Sequence, residues 1–267
     1  MIKIFLIFLL SASSVMAKDN SSYWIYNLDT SQVIGGASTS QQRPIASITK
    51  LMTALLIVES KLPLDTEIKY HGWIWQKKNV SRRELLESLL IRSDNAAAES
   101  LAISWAGGRK EFIDQMNRRA STLRMSQTQF DDPSGLSAKN ISTAEDVAKL
   151  ISAASKHEII KKLSVSKYVS IEKNIKQKIN KIEIPNTNQG LLFEFDNIVL
   201  SKTGFTRKAG WCLALMVEKS NQQYIIVILG EPSPQSRADK ARHLINNYVK
   251  IQEKDDYSED RFYLFNF

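Results

Sequence analysis

A serine and a lysine stand three positions apart in Ser47-Ile48-Thr49-Lys50. On a helix, side chains three positions apart share a face, so the Lys50 amine reaches the Ser47 hydroxyl. Ile48, Leu51, Met52, Leu55, Leu56 and Val58 form an apolar stripe wide enough to bury this helix nearly all round. Pro44 blocks its backward extension and sets Ser47 in the first turn, where unpaired N–H groups point out of the helix end. Burial and any neighbouring cation lower a lysine's pKa, and a neutral amine beside an alcohol suits nucleophilic catalysis. The tetrad alone arises about once by chance in such a composition, and a capping serine with a snorkelling lysine has the same pattern.

Two further clusters carry polar groups suited to chemistry. Ser93-Asp94-Asn95 interrupts two apolar helical runs, where polar residues usually face a cleft or cap a helix. Lys202-Thr203-Gly204 lies within a strand-like run. His71, His157 and His243 are scattered without ligand spacing, so neither a metal site nor a Ser-His-Asp triad is expected, and no cofactor is called for. Cys212, the only cysteine, excludes an intramolecular disulfide and sits in an apolar run that predicts a buried, inert thiol.

The elements that must position these residues follow from local patterns. A hairpin is predicted over 23–34 around Asp29-Thr30-Ser31. Tyr70, Trp73 and Trp75 either line a groove for an extended ligand or, as aromatics more often do, cover the core beneath a long loop. Ser81 with Glu84 has capping-box spacing ahead of Leu85, Leu86, Leu89 and Leu90, and a second helical run spans 96–105. Phe112, Met116 and Ala120 keep helical spacing, and 131–136 reads as turns. Ser142 with Glu145 predicts another capping box, opening a helix whose face is Val147, Leu150, Ile151 and Ala154. The lysine-rich stretch 156–181 predicts exposed strands with edge lysines, a polymer-binding patch being the alternative. Three strands at 198–205, 211–217 and 224–229 precede a last helix carrying Ala241, Leu244, Ile245 and Tyr248. The prediction is one α+β unit: an antiparallel sheet of about five strands from N- and C-terminal segments, flanked by helices, with an inserted, mainly helical subdomain.

The chain opens with a charged start, an apolar run from Ile4 to Leu10 and a small-residue site at Val15-Met16-Ala17, which predicts a signal peptide at 1–17 and export, to the periplasm or the cell-wall space. Removing 17 of 267 residues leaves 250, enough for one large domain over 18–250 with a short tail at 251–267. The formal charge of +8 becomes +7 when Lys3 leaves, which favours anionic partners, and the exported address argues against nucleic acid. The tail is acidic and then aromatic, without the basic amphipathic pattern of a membrane anchor, so none is expected.

Together and in this order, Ser47-Ile48-Thr49-Lys50, Ser93-Asp94-Asn95 and Lys202-Thr203-Gly204 resemble the active-site set of penicillin-binding proteins and serine β-lactamases. Arg43-Pro44-Ile45-Ala46, Asp132-Pro133-Ser134-Gly135-Leu136, Asn140 with Ser142-Thr143-Ala144, Asn186-Thr187-Asn188 and Lys202-Thr203-Gly204-Phe205-Thr206 extend the likeness to the low-molecular-mass D-alanyl-D-alanine carboxypeptidases. The resemblance implies a β-lactamase/transpeptidase-like fold and a serine peptidase that takes peptidoglycan stem peptides and is acylated by β-lactams.

It also implies roles. Ser47 would attack the carbonyl between two D-alanines, Lys50 would take its proton, and water would release the acyl-enzyme. Ser93 would pass a proton to the leaving amine, and Asn95 would hold the substrate's amide. The N–H groups of Ser47 and Phe205 would form the oxyanion hole, with Gly204 leaving room for the substrate backbone. Lys202 and Thr203 would bind the terminal carboxylate, Lys202 also keeping Lys50 less protonated. Arg237 resembles the family's additional carboxylate-binding arginine, with a surface arginine as the alternative. A D,D-endopeptidase cutting cross-links shares this chemistry. A class A β-lactamase would need a deacylating glutamate that the stretch 127–136 lacks, and a silent cell-wall binding module would not need the full set.

Overall fold

The computed structural model describes residues 21–75, 77–175 and 178–249; the predicted leader at 1–17 and the tail at 251–267 lie outside them. The N-terminal hairpin pairs β1 (Ser22–Asn27) with β2 (Gln32–Ala37), and the Asn27 carboxamide oxygen accepts the amides of Asp29 and Thr30 in the turn. After β3 (Arg43–Pro44), a 3-10 turn (Ala46–Thr49) runs straight into α1 (Lys50–Glu59), which is buried from Lys50 to Ile57. The wide apolar stripe therefore gives the enclosed helix it predicts.

A small hairpin of β4 (Glu67–Lys69) and β5 (Asn79–Ser81) leads into α2 (Arg82–Glu87), where the predicted Ser81/Glu84 capping box forms. A π turn (Ser88–Arg92) then separates α2 from α3 (Asn95–Ile103). Helix α4 (Gly108–Thr122), β6 (Ile141–Ser142), which pairs with β3, and α5 (Ala144–Ala154) complete the first helical half. Helix α6 (Glu158–Val165), the hairpin β7 (Tyr168–Ile175) and β8 (Lys178–Pro185), and α7 (Gln189–Glu194) follow. Strands β9 (Ile198–Thr206), β10 (Gly210–Lys219) and β11 (Gln222–Glu231) lead to α8 (Pro234–Leu244) and a final π turn (Ile245–Val249).

The main sheet has the order β2-β1-β11-β10-β9, antiparallel throughout, so the chain's two ends close it as expected. Leu213, Leu215, Ile226 and Ile228 pack under Ala241, Leu244 and Ile245 on one face. Ala214, Met216, Ile225 and Val227 join the core of α1 and α5 on the other. Burial on both faces is why β10 and β11 read as unbroken apolar runs rather than alternating ones.

Three local expectations change. Helix α5 is capped by Thr143, whose hydroxyl accepts the Asp146 amide at 3.1 Å, and not by Ser142. Ser142 belongs to β6, paired with Arg43, and its hydroxyl meets that of Thr128 at 2.7 Å. The lysine-rich stretch begins as helix α6, because Ile160 turns fully into the core while Lys161 and Lys162 stay outward; only its second half forms strands. The three aromatics split: Tyr70 and Trp75 are buried in the core, and Trp73 is exposed.

Candidate active site

The turn carrying Ser47 is held tightly. Ala46 has φ +47°, an uncommon left-handed conformation for a residue with a side chain, and is buried. Lys50 Nζ lies 2.9 Å from Ser47 Oγ, 2.7 Å from Asn95 Oδ1 and 2.6 Å from the Ser134 carbonyl oxygen. Its side chain is fully buried, and burial lowers its pKa to about 7, against the opposing charges of Asp132, Asp94 and Glu99. Burial, one of the two causes expected, dominates, and the repulsion between the two lysines falls on Lys202. A neutral amine has two N–H groups and one lone pair. Asn95 Oδ1 and the Ser134 carbonyl take the two hydrogens, which leaves the lone pair for the Ser47 O–H.

The Ser134 carbonyl is fixed by a loop to which sequence reasoning gave only a turn. The Asp132 carboxylate accepts the amides of Ser134 and Gly135 at 2.6 Å each and of Ser137 at 2.5 Å, together with the Ser134 hydroxyl and the Asn140 carboxamide. Burial works to raise this carboxyl, but those donors outweigh it and hold it below the usual range. Thr53, one turn beyond Lys50, donates to the Pro133 carbonyl at 2.6 Å. Gly135 has φ +85°, and a Cβ there would lie 1.9 Å from the Ala46 carbonyl oxygen, so loop and turn are in backbone contact. The signal was present in Asp-Pro-Ser-Gly turn chemistry, but its partner is distant in sequence.

Ser93 sits at the left-handed end of the π turn, with φ +63°. Lys202 Nζ donates to Ser93 Oγ at 2.8 Å and to the Thr203 carbonyl at 2.9 Å. Burial first, then the charges of Lys50 and Arg237, push Lys202 well below the ordinary lysine range. The next residue, Asp94, caps α3 by accepting the Ala96 amide at 2.9 Å and accepts the Tyr70 hydroxyl at 2.7 Å. Burial and that bond raise the Tyr70 pKa. Thr203 Oγ1 donates to Thr187 Oγ1 at 2.6 Å, and Asn188 Nδ2 donates to Ser201 Oγ at 2.9 Å, which ties the 186–188 segment to β9.

A Cβ on Gly204 would lie 3.0 Å from both the Ile45 carbonyl oxygen and the Ser47 nitrogen. Gly204 is therefore packed against the Ser47 turn, with little room there for a side chain. Phe205 is half exposed and stacks on Trp211 with centroids 4.2 Å apart. Arg237 is no surface residue: it is 8% exposed, with its guanidinium 5.8 Å over the Trp211 ring and its Nε without a hydrogen-bond partner. Cys212 is buried and its thiol is pushed up to about 11 by that burial, as the inert reading expects.

Ser47, Lys50 and Asn95 thus converge on one amine, and Ser93 and Lys202 form a second pair beside it. Among the described residues no group of three or more His, Cys, Asp or Glu side chains is arranged to hold a metal ion. No helix among them is long and apolar enough to cross a membrane.

A family model described as D-alanyl-D-alanine carboxypeptidase matches residues 10–233. A D-alanyl-D-alanine endopeptidase of Escherichia coli (strain K12) is 35% identical over 221 residues, covering 79% of this chain and 71% of the relative. The crystal structure of the Streptomyces K15 DD-transpeptidase superposes with a TM-score of 0.76 at 26% identity, covering 84% of this chain and 94% of that one. Penicillin-binding protein D2 of Listeria monocytogenes, in its cefotaxime-bound form, gives a TM-score of 0.75 at 27% identity, covering 86% of this chain and 96% of that one.

Proposed function

The chain belongs to the D-alanyl-D-alanine carboxypeptidase family, and on that premise we propose that it removes the terminal D-alanine from peptidoglycan stem peptides through an acyl-enzyme on Ser47. The observation that carries this reading is the Lys50 amine, buried and held 2.9 Å from the Ser47 oxygen with its other two partners both acceptors.

As the substrate carbonyl is attacked, Lys50 takes the Ser47 proton, and the developing oxyanion is met by the N–H groups of Ser47 and Phe205. The N–H at Ser47 is supplied by the strained 3-10 turn, and the one at Phe205 follows Gly204, which is pressed against that turn. Ser93, hydrogen-bonded to Lys202, hands a proton to the departing amine while Asn95 holds the substrate's amide. Lys202, Thr203 and Arg237 are cationic or hydroxylic groups fit for the terminal carboxylate. Water then hydrolyses the ester. β-Lactams acylate the same serine, in keeping with the cefotaxime-bound relative.

The second reading is a D,D-endopeptidase that splits cross-links, favoured by the Escherichia coli relative of that name. Both share every step above and differ in what leaves. Incubation with purified muropeptides followed by mass spectrometry separates them: free D-alanine marks the carboxypeptidase, and a split cross-link the endopeptidase. Neither product, or unchanged activity in Ser47→Ala, would refute both. Rapid turnover of nitrocefin would favour a β-lactamase instead, and failure to take a fluorescent penicillin would favour a silent wall-binding module. In the same reading, residues 1–17 are the export signal, 18–250 the catalytic domain working in the periplasm or cell-wall space, and 251–267 a tail.

A further inference from the structure

Strand β1 and helix α5 face each other at one end of the main sheet without closing the space between them. The strand side supplies Trp24, Tyr26 and Leu28, all half-buried, whereas the helix side supplies the small residues Ala148, Ser152 and Ala153. Bulky residues opposite small ones leave an open cavity of about 450 Å³, a size that encloses a drug-sized apolar group. Gly204 pairs with Cys212 toward the opposite end of β9 and β10, so the cavity is separate from the candidate active site.

The rim of this cavity is cationic. Arg124 and Lys156 line it, are exposed, and form no ion pair among the described residues. Lys149 lines it as well, but is held by Asp146 at 2.7 Å with Glu145 3.7 Å away. Glu145 also lines the cavity, and Lys149 answers its charge. The charge left for a partner is therefore positive.

The sequence that follows Val249, the last described residue, has the matching chemistry. Between 253 and 260 it carries Glu253, Asp255, Asp256, Glu259 and Asp260 against Lys254 alone, and it continues as Phe262-Tyr263-Leu264-Phe265-Asn266-Phe267. Its starting point is also near enough. Val249 lines a pocket with Asn197 and Glu218, and the strand register sets Val217, Tyr224 and Asn27 side by side, so this is the end of the sheet where Leu28 borders the cavity. Passing from β10 across β11 to β1, and from one face of the sheet to the other, covers roughly 20 Å. The chain from Val249 to Phe262 spans up to about 40 Å.

We propose that this cavity is the docking site for residues 253–267 of the same chain, with aromatic side chains of 262–267 filling the space between β1 and α5 and the acidic residues before them pairing with Arg124 and Lys156. The docking is independent of the reaction at Ser47. Exposed ion pairs are weak and screened by salt, so the aromatic contacts supply most of the attraction and the charges select the segment and its direction.

The test places the photoreactive residue p-benzoylphenylalanine at position 265 of the full chain and maps the cross-links by mass spectrometry. Cross-links fall on 24–28, 122–124 and 148–153 of the same molecule. Arg124→Glu combined with Lys156→Glu lowers their yield about tenfold. Ser152→Leu, which fills the cavity, abolishes them; the charge reversals lie at exposed positions and keep the test decisive if that variant does not fold. Absence of cross-links, cross-links to other surfaces, cross-links formed only between two copies of the chain, or a yield untouched by the charge reversals would overturn the proposal.

Discussion

Acylation of Ser47 should follow the deprotonation of Lys50. An ordinary lysine, at 10.5, would be neutral in about three molecules per ten thousand at pH 7, whereas an amine at about 7 is neutral in about half, a gain of more than a thousandfold in competent enzyme. The sign follows from burial: the charged form is disfavoured, so the base is active above its pKa and lost as pH falls through it. The second-order rate constant for acylation by a fluorescent penicillin, measured by stopped flow from pH 5 to 9, should rise to a plateau with a midpoint near 7. At pH 5 about 1% of the amine is neutral, so the rate should be about fiftyfold below that at pH 7. Lys50→Arg, which keeps the charge and does not release it, should lose at least about a hundredfold, the usual worth of a positioned base. Glu99→Gln removes one of the carboxylates that stabilise the ammonium and should move the midpoint down by less than about one unit. A rate independent of pH, a midpoint near 10, or near-normal acylation by Lys50→Arg would refute the reasoning. Circular dichroism over the same pH range keeps unfolding from imitating the effect.

Other substitutions test the contacts that hold the site. Gly204→Ala places a methyl 3.0 Å from the Ile45 carbonyl and the Ser47 amide and should slow acylation by on the order of tenfold through displacement of the Ser47 turn, with thermal stability only slightly reduced. Gly135→Ala adds a clash at 1.9 Å to a φ of +85°, and differential scanning calorimetry should show either no folded protein or a midpoint lower by on the order of 10 °C. Asp94→Ala removes the cap of α3 at about 1 kcal/mol and strands the Tyr70 hydroxyl, so the melting temperature should fall by a few degrees. It should also lower the acylation midpoint, because Asp94 helps keep Lys50 protonated.

How much of this was legible in the residues depended on how local the cause was. The hairpin at Asn27, the Ser81/Glu84 box and the buried runs of β10 and β11 are short-range signals, and each is found where the pattern put it. Ser142 and Thr143 are adjacent hydroxyl residues that offer two capping registers, and the choice was made by β6 pairing with β3, a contact across the fold. Helix α6 was obscured because its lysines are outward while its apolar contacts are tertiary. In the site, the three motifs identified the groups but not their environment. The depth of Lys50 and its bond to the Ser134 carbonyl, 84 positions away, come from the Asp132 loop packing beneath the Ser47 turn. Burial and repulsion by Lys202 were both expected to lower the Lys50 pKa; burial dominates, and the repulsion between the two lysines falls on Lys202.

The most direct measurement is the titration of the Lys50 amine itself, by nitrogen NMR of protein labelled at lysine Nζ, with the resonance assigned by its absence in Lys50→Arg. The account predicts a midpoint near pH 7, far below the other lysines that remain exposed. A Lys50 ammonium that persists beyond pH 9 would contradict it.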